Sequence, residues 1–160
     1  MNVQRASRPI ELGRAGWGVA LLLWPRPVLE QVHHLKVDSR SVVIARILGA
    51  RQLAQALLSG IRPSPEVLAM GVWVDAVHAL TALGLAVADR SRARAGLTDA
   101  AVAGAWAALG YRDLTEGLIS PADHERRRDR LARTVLSIAP GGGPLVRRAD
   151  AVRRASSAGR

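Results

Sequence analysis

Four long apolar blocks run through this chain, separated by short stretches rich in proline, glycine and arginine. They cover roughly residues 9–24, 41–58, 66–88 and 97–109, and their length with their Ala/Leu/Val content predicts helices. Ser7 and Pro9 supply a cap and a first-turn proline for the first block. Pro25 and Pro27 stop or kink it after Trp24. About sixteen residues at about 1.5 Å each reach about 24 Å, short of a hydrocarbon core of about 30 Å. That block is expected as a short, tilted or interfacial span with Trp24 as its anchor. The third block, opened by Pro65 and Glu66, reaches roughly 34 Å and is long enough to span. The fourth carries Ala100, Gly104 and Ala108 at four-residue spacing, a face suited to close helix contact.

Between the blocks, residues 28–41 read as a polar connector and residues 89–94 as a solvated turn. Ser120-Pro121-Ala122-Asp123 opens a further helix to about residue 137. That helix is dense in Arg126, Arg127, Arg128, Arg130 and Arg133. Past Pro140, the run Gly141-Gly142-Gly143-Pro144 reads as a linker and the basic end as disordered. The expected fold class is all-α: a small bundle of about four membrane-embedded helices plus an amphipathic basic C-terminal helix. Its parts are a membrane domain over 1–118, the basic helix over 119–139 and a disordered basic tail over 140–160.

Polar residues interrupt the second and third blocks. At 100° per residue, Arg51, Gln52, Gln55 and Ser59 fall within about 100° of one another, while Arg46 points away. Gly71, Asp75, His78 and Ala82 share a stripe on the next helix. The short break at residues 59–65 makes the two helices antiparallel neighbours, with residues 51 and 75 at comparable depth. An unpaired charge at mid-depth in lipid costs at least about 2.5 kcal/mol on insertion scales. A polar seam of Arg51, Gln52, Gln55, Asp75 and His78, with Arg51 paired to Asp75, is the expected remedy. The seam reads either as a clamp fixing helix register or as a small proton-responsive site, His78 being titratable near neutrality.

Composition narrows the alternatives. Phenylalanine is absent and Tyr111 is the sole tyrosine, so a water-soluble core of this size would be thinly filled. The net charge of +10 is almost wholly arginine and favours anionic partners, either phospholipid or nucleic acid. With no cysteine, thiolate metal sites and cysteine nucleophiles are excluded. His33 and His34 are adjacent rather than a helical turn apart, and no catalytic triad or carboxylate pair stands out; no cofactor or metal is implied. Arg5, Arg8 and Arg14 ahead of residues 19–24 look like a secretory signal, but Trp24-Pro25-Arg26-Pro27 offers no small-residue cleavage site, so the segment is expected to be retained.

The stretch Arg46-Ile47-Leu48-Gly49-Ala50-Arg51-Gln52-Leu53-Ala54-Gln55-Ala56, followed by Val74-Asp75-Ala76-Val77-His78-Ala79, resembles small uncharacterised four-helix integral membrane proteins of high-GC bacteria. Those carry Gly-x-Arg-(Glu/Gln) in one helix and (Gly/Val)-Asp-Ala in the next. The resemblance implies membrane location and a paired Arg51–Asp75, and no activity.

The leading expectation is a non-enzymatic integral membrane protein, an accessory subunit for a larger membrane complex or a homo-oligomer, with the lipid bilayer as partner. It would sit in the inner (plasma) membrane with a cytoplasmic C-terminus, where the arginines concentrate, although four spans would leave the arginines of residues 89–94 outside. One alternative is a soluble or peripheral module binding nucleic acid or anionic surfaces through Arg126, Arg127, Arg128, Arg130 and Arg133. The other is a small transporter or proton-handling protein using Asp75 and His78.

Overall fold

Ala/Leu-rich blocks punctuated by proline and glycine fold as helices, because straight-chain and small side chains lose little freedom there. The computed structural model describes residues 9–32, 37–60, 62–116, 119 and 126–158, and within these it holds helices and no strand. In chain order they are α1 (Ile10–Leu23), a single turn α2 (Pro25–Pro27), a π-helical turn Val28–Val32, α3 (Ser39–Ser59), α4 (Pro65–Ala88), α5 (Ala93–Thr115), α6 (Arg127–Ile138) and α7 (Gly143–Ala158). Asp38 caps α3, its carboxylate accepting the Ser41 N–H at 2.7 Å. Ser64 caps α4 through the Val67 N–H, and Pro65 occupies the first turn, where no donor is missed.

Helices α1, α3, α4 and α5 run up and down beside one another. Extensive packing joins α1 to α3 and α4 to α5, whereas α3 and α4 touch sparingly. Glycine sets both close pairs. A Cβ on Gly18 would stand 2.8 Å from the Gly49 carbonyl oxygen, and one on Gly49 would stand 2.7 Å from that of Gly18. A Cβ on Gly96 would meet the Ala82 carbonyl oxygen at 2.8 Å. The small-residue face expected at Ala100, Gly104 and Ala108 is therefore not the packed one. The buried positions of α5 are Gly96, Ala103, Gly110 and Leu114, and Gly104 has nothing within 4 Å of its Cβ position.

The C-terminal segment departs from the expectation of a disordered tail. Residues Gly143–Ala158 form α7, which pairs with α6 and packs on the N-terminal part of α4. The glycine run is a tight turn rather than a linker. Gly141 has φ +75°, and a Cβ on Gly142 would run into the Leu136 carbonyl. Leu68, Ala69, Leu114, Ile119, Leu136 and Ala149 make the apolar contact beneath it. Trp73 Nε1 donates to the Pro140 carbonyl at 2.9 Å and pins the turn to α4. Periodicity misses α7 because its apolar residues are few and its stability comes from docking. The expected helix start at residues 120–123 lies outside the described residues, as do His33, His34 and Lys36.

The expected connector after Trp24 begins as helix, with Leu29 buried against Leu21 and Ala45. Of the four helices expected in the membrane, α3 and α4 are, among the described residues, the ones long and apolar enough to cross it. Helix α1 has 14 residues. Helix α5 is diluted by Arg94, Asp99, Arg112 and Asp113.

Candidate functional site

The centre of the four-helix unit is ionic. Asp75 on α4 is 1% exposed and receives a forked pair of bonds from Arg14 on α1, Nη1 to Oδ1 at 3.0 Å and Nη2 to Oδ2 at 2.8 Å. Arg51 on α3 adds a bond to Oδ1 at 3.0 Å and another to the Val74 carbonyl at 3.2 Å. Gln55 Nε2 donates to Asp75 Oδ2 at 3.2 Å and to the Gly71 carbonyl at 3.3 Å. Arg14 also meets Glu11 at 3.2 Å and the Gln52 oxygen at 3.4 Å, and its guanidinium lies 4.8 Å from the centre of the Trp106 ring. Two cations and two anions balance in this network, which is the arrangement a low-dielectric interior tolerates. The forked Arg–carboxylate geometry adds orientation to attraction.

Arg14 and Glu11 are the site residues that the sequence reading misses. Arg14 reads there as part of a basic leader, yet it is 3% exposed. The signal that could have found them is their spacing. Glu11, Arg14, Gly18 and Leu21 lie at intervals of three and four, one face of α1, and all are buried.

His78 is not part of this cluster. Three residues beyond Asp75 it is turned by about 60° around α4, and its Nε2 lies 2.7 Å from Asp99 Oδ2 on α5. Of the expected seam, Arg51, Gln52, Gln55 and Asp75 come together, with Gln52 reaching Arg14 rather than Arg51. Arg46 is exposed on the other side of α3.

The arginines expected to form one anionic-surface patch divide in two. Arg126, Arg127 and Arg130 are exposed. Arg128 donates to the Leu58 carbonyl at 2.9 Å, at the C-terminal end of α3 where a cation suits the dipole. Arg133 binds Glu66 at 3.0 Å and also Asp150, while Arg153 holds both oxygens of Glu66 at 2.7 and 2.8 Å. Ser64 donates to Asp129, which is fully buried and also accepts the Arg126 N–H at 3.0 Å. This second ionic cluster ties α6 and α7 to the start of α4, so part of the arginine excess is structural.

At the opposite end lies a cavity of about 330 Å³ between the α1–α3 pair and the α4–α5 pair. Trp17, Leu21, Ala45, Leu48, Ala82 and Leu85 supply apolar walls, and His78 and Asp99 supply the polar wall. At its rim Arg92 faces Asp38 at 3.5 Å and Asp89 at 3.9 Å. The Asp38 carboxyl is held below its ordinary range first by the Ser41 hydrogen bonds, and the Asp89 carboxyl first by the Ser91 hydroxyl at 2.6 Å. Among the described residues, no three His, Asp or Glu side chains stand close enough together to hold a metal ion. Comparison of the chain with protein-family models, with curated proteins and with solved structures returns no match.

Proposed function

We propose that this is a small integral membrane protein, non-enzymatic, that serves as an accessory subunit packed against a partner in the inner (plasma) membrane. One observation carries the reading: an ionic cluster is buried in the four-helix unit while large apolar side chains stand exposed on its helices. Glu11, Arg14, Gln52 and Asp75 are buried, whereas Ile47, Leu57, Leu80 and Val87 are each more than 60% exposed. Water disfavours both halves of that arrangement, and lipid favours both. The length of α3 and α4 and the resemblance in residues 46–79 point the same way.

Arg46 supports the partner. It is exposed on α3 beside exposed Val43 and Ile47, where an unpaired charge in lipid costs about 2.5–3.5 kcal/mol. A facing carboxylate on a second subunit, or snorkelling to the interface, would relieve that cost. Exposed Arg126, Arg127 and Arg130 support a cytoplasmic C-terminus, while exposed Arg26, Arg40, Arg90 and Arg94 at the opposite end weigh the other way. A transporter role for Asp75 is the weaker reading, since Arg14, Arg51 and Gln55 occupy both its oxygens.

Alkaline carbonate extraction of membranes tests the location: the protein is expected in the pellet, and release into the supernatant overturns the reading. Purification in mild detergent tests the partner. A stoichiometric second subunit is expected, and a monodisperse monomer overturns that half.

A further inference from the structure

We propose that the cavity between the α1–α3 and α4–α5 pairs is a binding site for a neutral, lipid-soluble molecule bearing a hydroxyl group, an alcohol or phenol on an apolar body. Its volume of about 330 Å³ falls at the small end of the range for small-molecule sites. The apolar walls set the body of the ligand. The half-exposed Ile44 and Leu85 at the rim join the cavity to the apolar outer surface, so a molecule dissolved in the bilayer reaches it without crossing water.

The polar wall sets the head group. His78 Nε2 lies 2.7 Å from Asp99 Oδ2, which leaves Nδ1 as a second polar atom of the ring. Thr81 spends its hydroxyl proton on the His78 carbonyl at 2.8 Å and keeps its oxygen lone pairs. Asp99 has its second carboxylate oxygen, again an acceptor. The Thr81 and Asp99 oxygens call for a ligand that donates, which an O–H does and a ketone or ester does not. A hydroxyl also meets His78 Nδ1 in either form, because it both donates and accepts.

Charge selects against ions. Asp99 in the wall and Asp38 and Asp89 at the rim oppose an anion, while Arg92 already meets both rim carboxylates. Asp99 already spends one carboxylate oxygen on His78. A neutral head group is what remains.

The site rests on the membrane reading for the route by which the ligand arrives, and its test is separate from carbonate extraction. The probe is an ω-brominated undecanol added to the purified protein in lipid nanodiscs, read by quenching of tryptophan fluorescence, since Trp17 lines the cavity. Saturable quenching is expected, and Trp17→Phe should remove the saturable part. Ala82→Leu, which fills the cavity, should weaken binding at least about ten-fold. Thr81→Val, an exposed position where the fold is not at stake, should weaken it by about five-fold, the loss of one hydrogen bond of about 1 kcal/mol.

The brominated alkane and carboxylate of the same length should bind at least about ten-fold more weakly. Equal quenching by alkane and alcohol, or quenching untouched by Ala82→Leu, would show probe reaching Trp17 from the bilayer and would overturn the site. Tighter binding of the carboxylate, or of the corresponding trimethylammonium, would overturn the ligand class. Saturable, Ala82-sensitive quenching by a protein that carbonate releases would keep the site and remove the membrane reading.

Discussion

At the scale of the residue, Asp75 is the group on which the four-helix unit depends. Removing it would leave Arg14 and Arg51 facing each other without their shared counter-ion in a buried space. Removing Arg14 instead takes from Asp75 its forked partner, leaving Arg51 and Gln55, and breaks the ion pair between Arg14 and Glu11. Breaking a buried pair in this way costs about 3–5 kcal/mol, and Arg14→Ala should fall in that range. Arg51→Ala should cost less, because the Arg51 side chain is 22% exposed and that of Arg14 is 4% exposed. The double variant Arg14→Ala/Asp75→Ala should be markedly less destabilised than the sum of the singles. Denaturant unfolding in mild detergent measures all three, and strict additivity would mean that the forked pair does no energetic work.

At the scale of the element, helix contact is decided by where a side chain is missing. Gly18 and Gly49 meet backbone carbonyl oxygens, which cannot turn aside as a flexible side chain can. Gly18→Ala should therefore destabilise by about 1–3 kcal/mol, the usual cost of overfilling a packed contact. Gly104→Ala should do the opposite, adding about 0.5–1 kcal/mol of helix stability, because nothing lies within 4 Å of its Cβ position. Thermal melts of the two variants beside the parent distinguish them, and equal effects would contradict the packing of α1 on α3. Small residues lie both at 100/104/108 and at the buried positions 96, 103 and 110 of α5, so residue size does not say which face finds a neighbour. That choice belongs to the opposing helix.

At the scale of the molecule, two ionic clusters divide the labour. The Arg14–Asp75 network joins α1, α3 and α4, while Glu66 with Arg133 and Arg153 joins the α6–α7 hairpin to α4. Glu66 is 1% exposed, and two guanidinium groups converge on it. Glu66→Gln should loosen the hairpin while the four-helix unit persists. Trypsin would then cut within α6 and α7 several-fold faster, with the segment through α5 surviving as a fragment. Unchanged cleavage would show that the apolar contact of Leu68, Leu114 and Leu136 suffices by itself. The coexistence of a buried ionic cluster with exposed leucines also emerges at this scale, since whether a leucine faces a helix or open surface is a property of the assembled bundle.

Residue order by itself determines that the chain is helical, roughly where α3 and α4 lie, and that Arg51 and Asp75 sit at comparable depth. These follow from local physics: proline and glycine interrupt helices, Pro65 and Glu66 suit a first turn, and a 100° step assigns each residue to a face. Tertiary structure alone decides the partners. It brings Arg14 from an apparent leader into the centre, turns His78 away to Asp99, and folds the glycine-rich end into a docked hairpin. It also leaves a cavity where two helix pairs meet loosely. Each of these depends on contacts between residues distant in the chain, such as Arg14 and Asp75, whose attraction acts only once the helices carrying them are side by side.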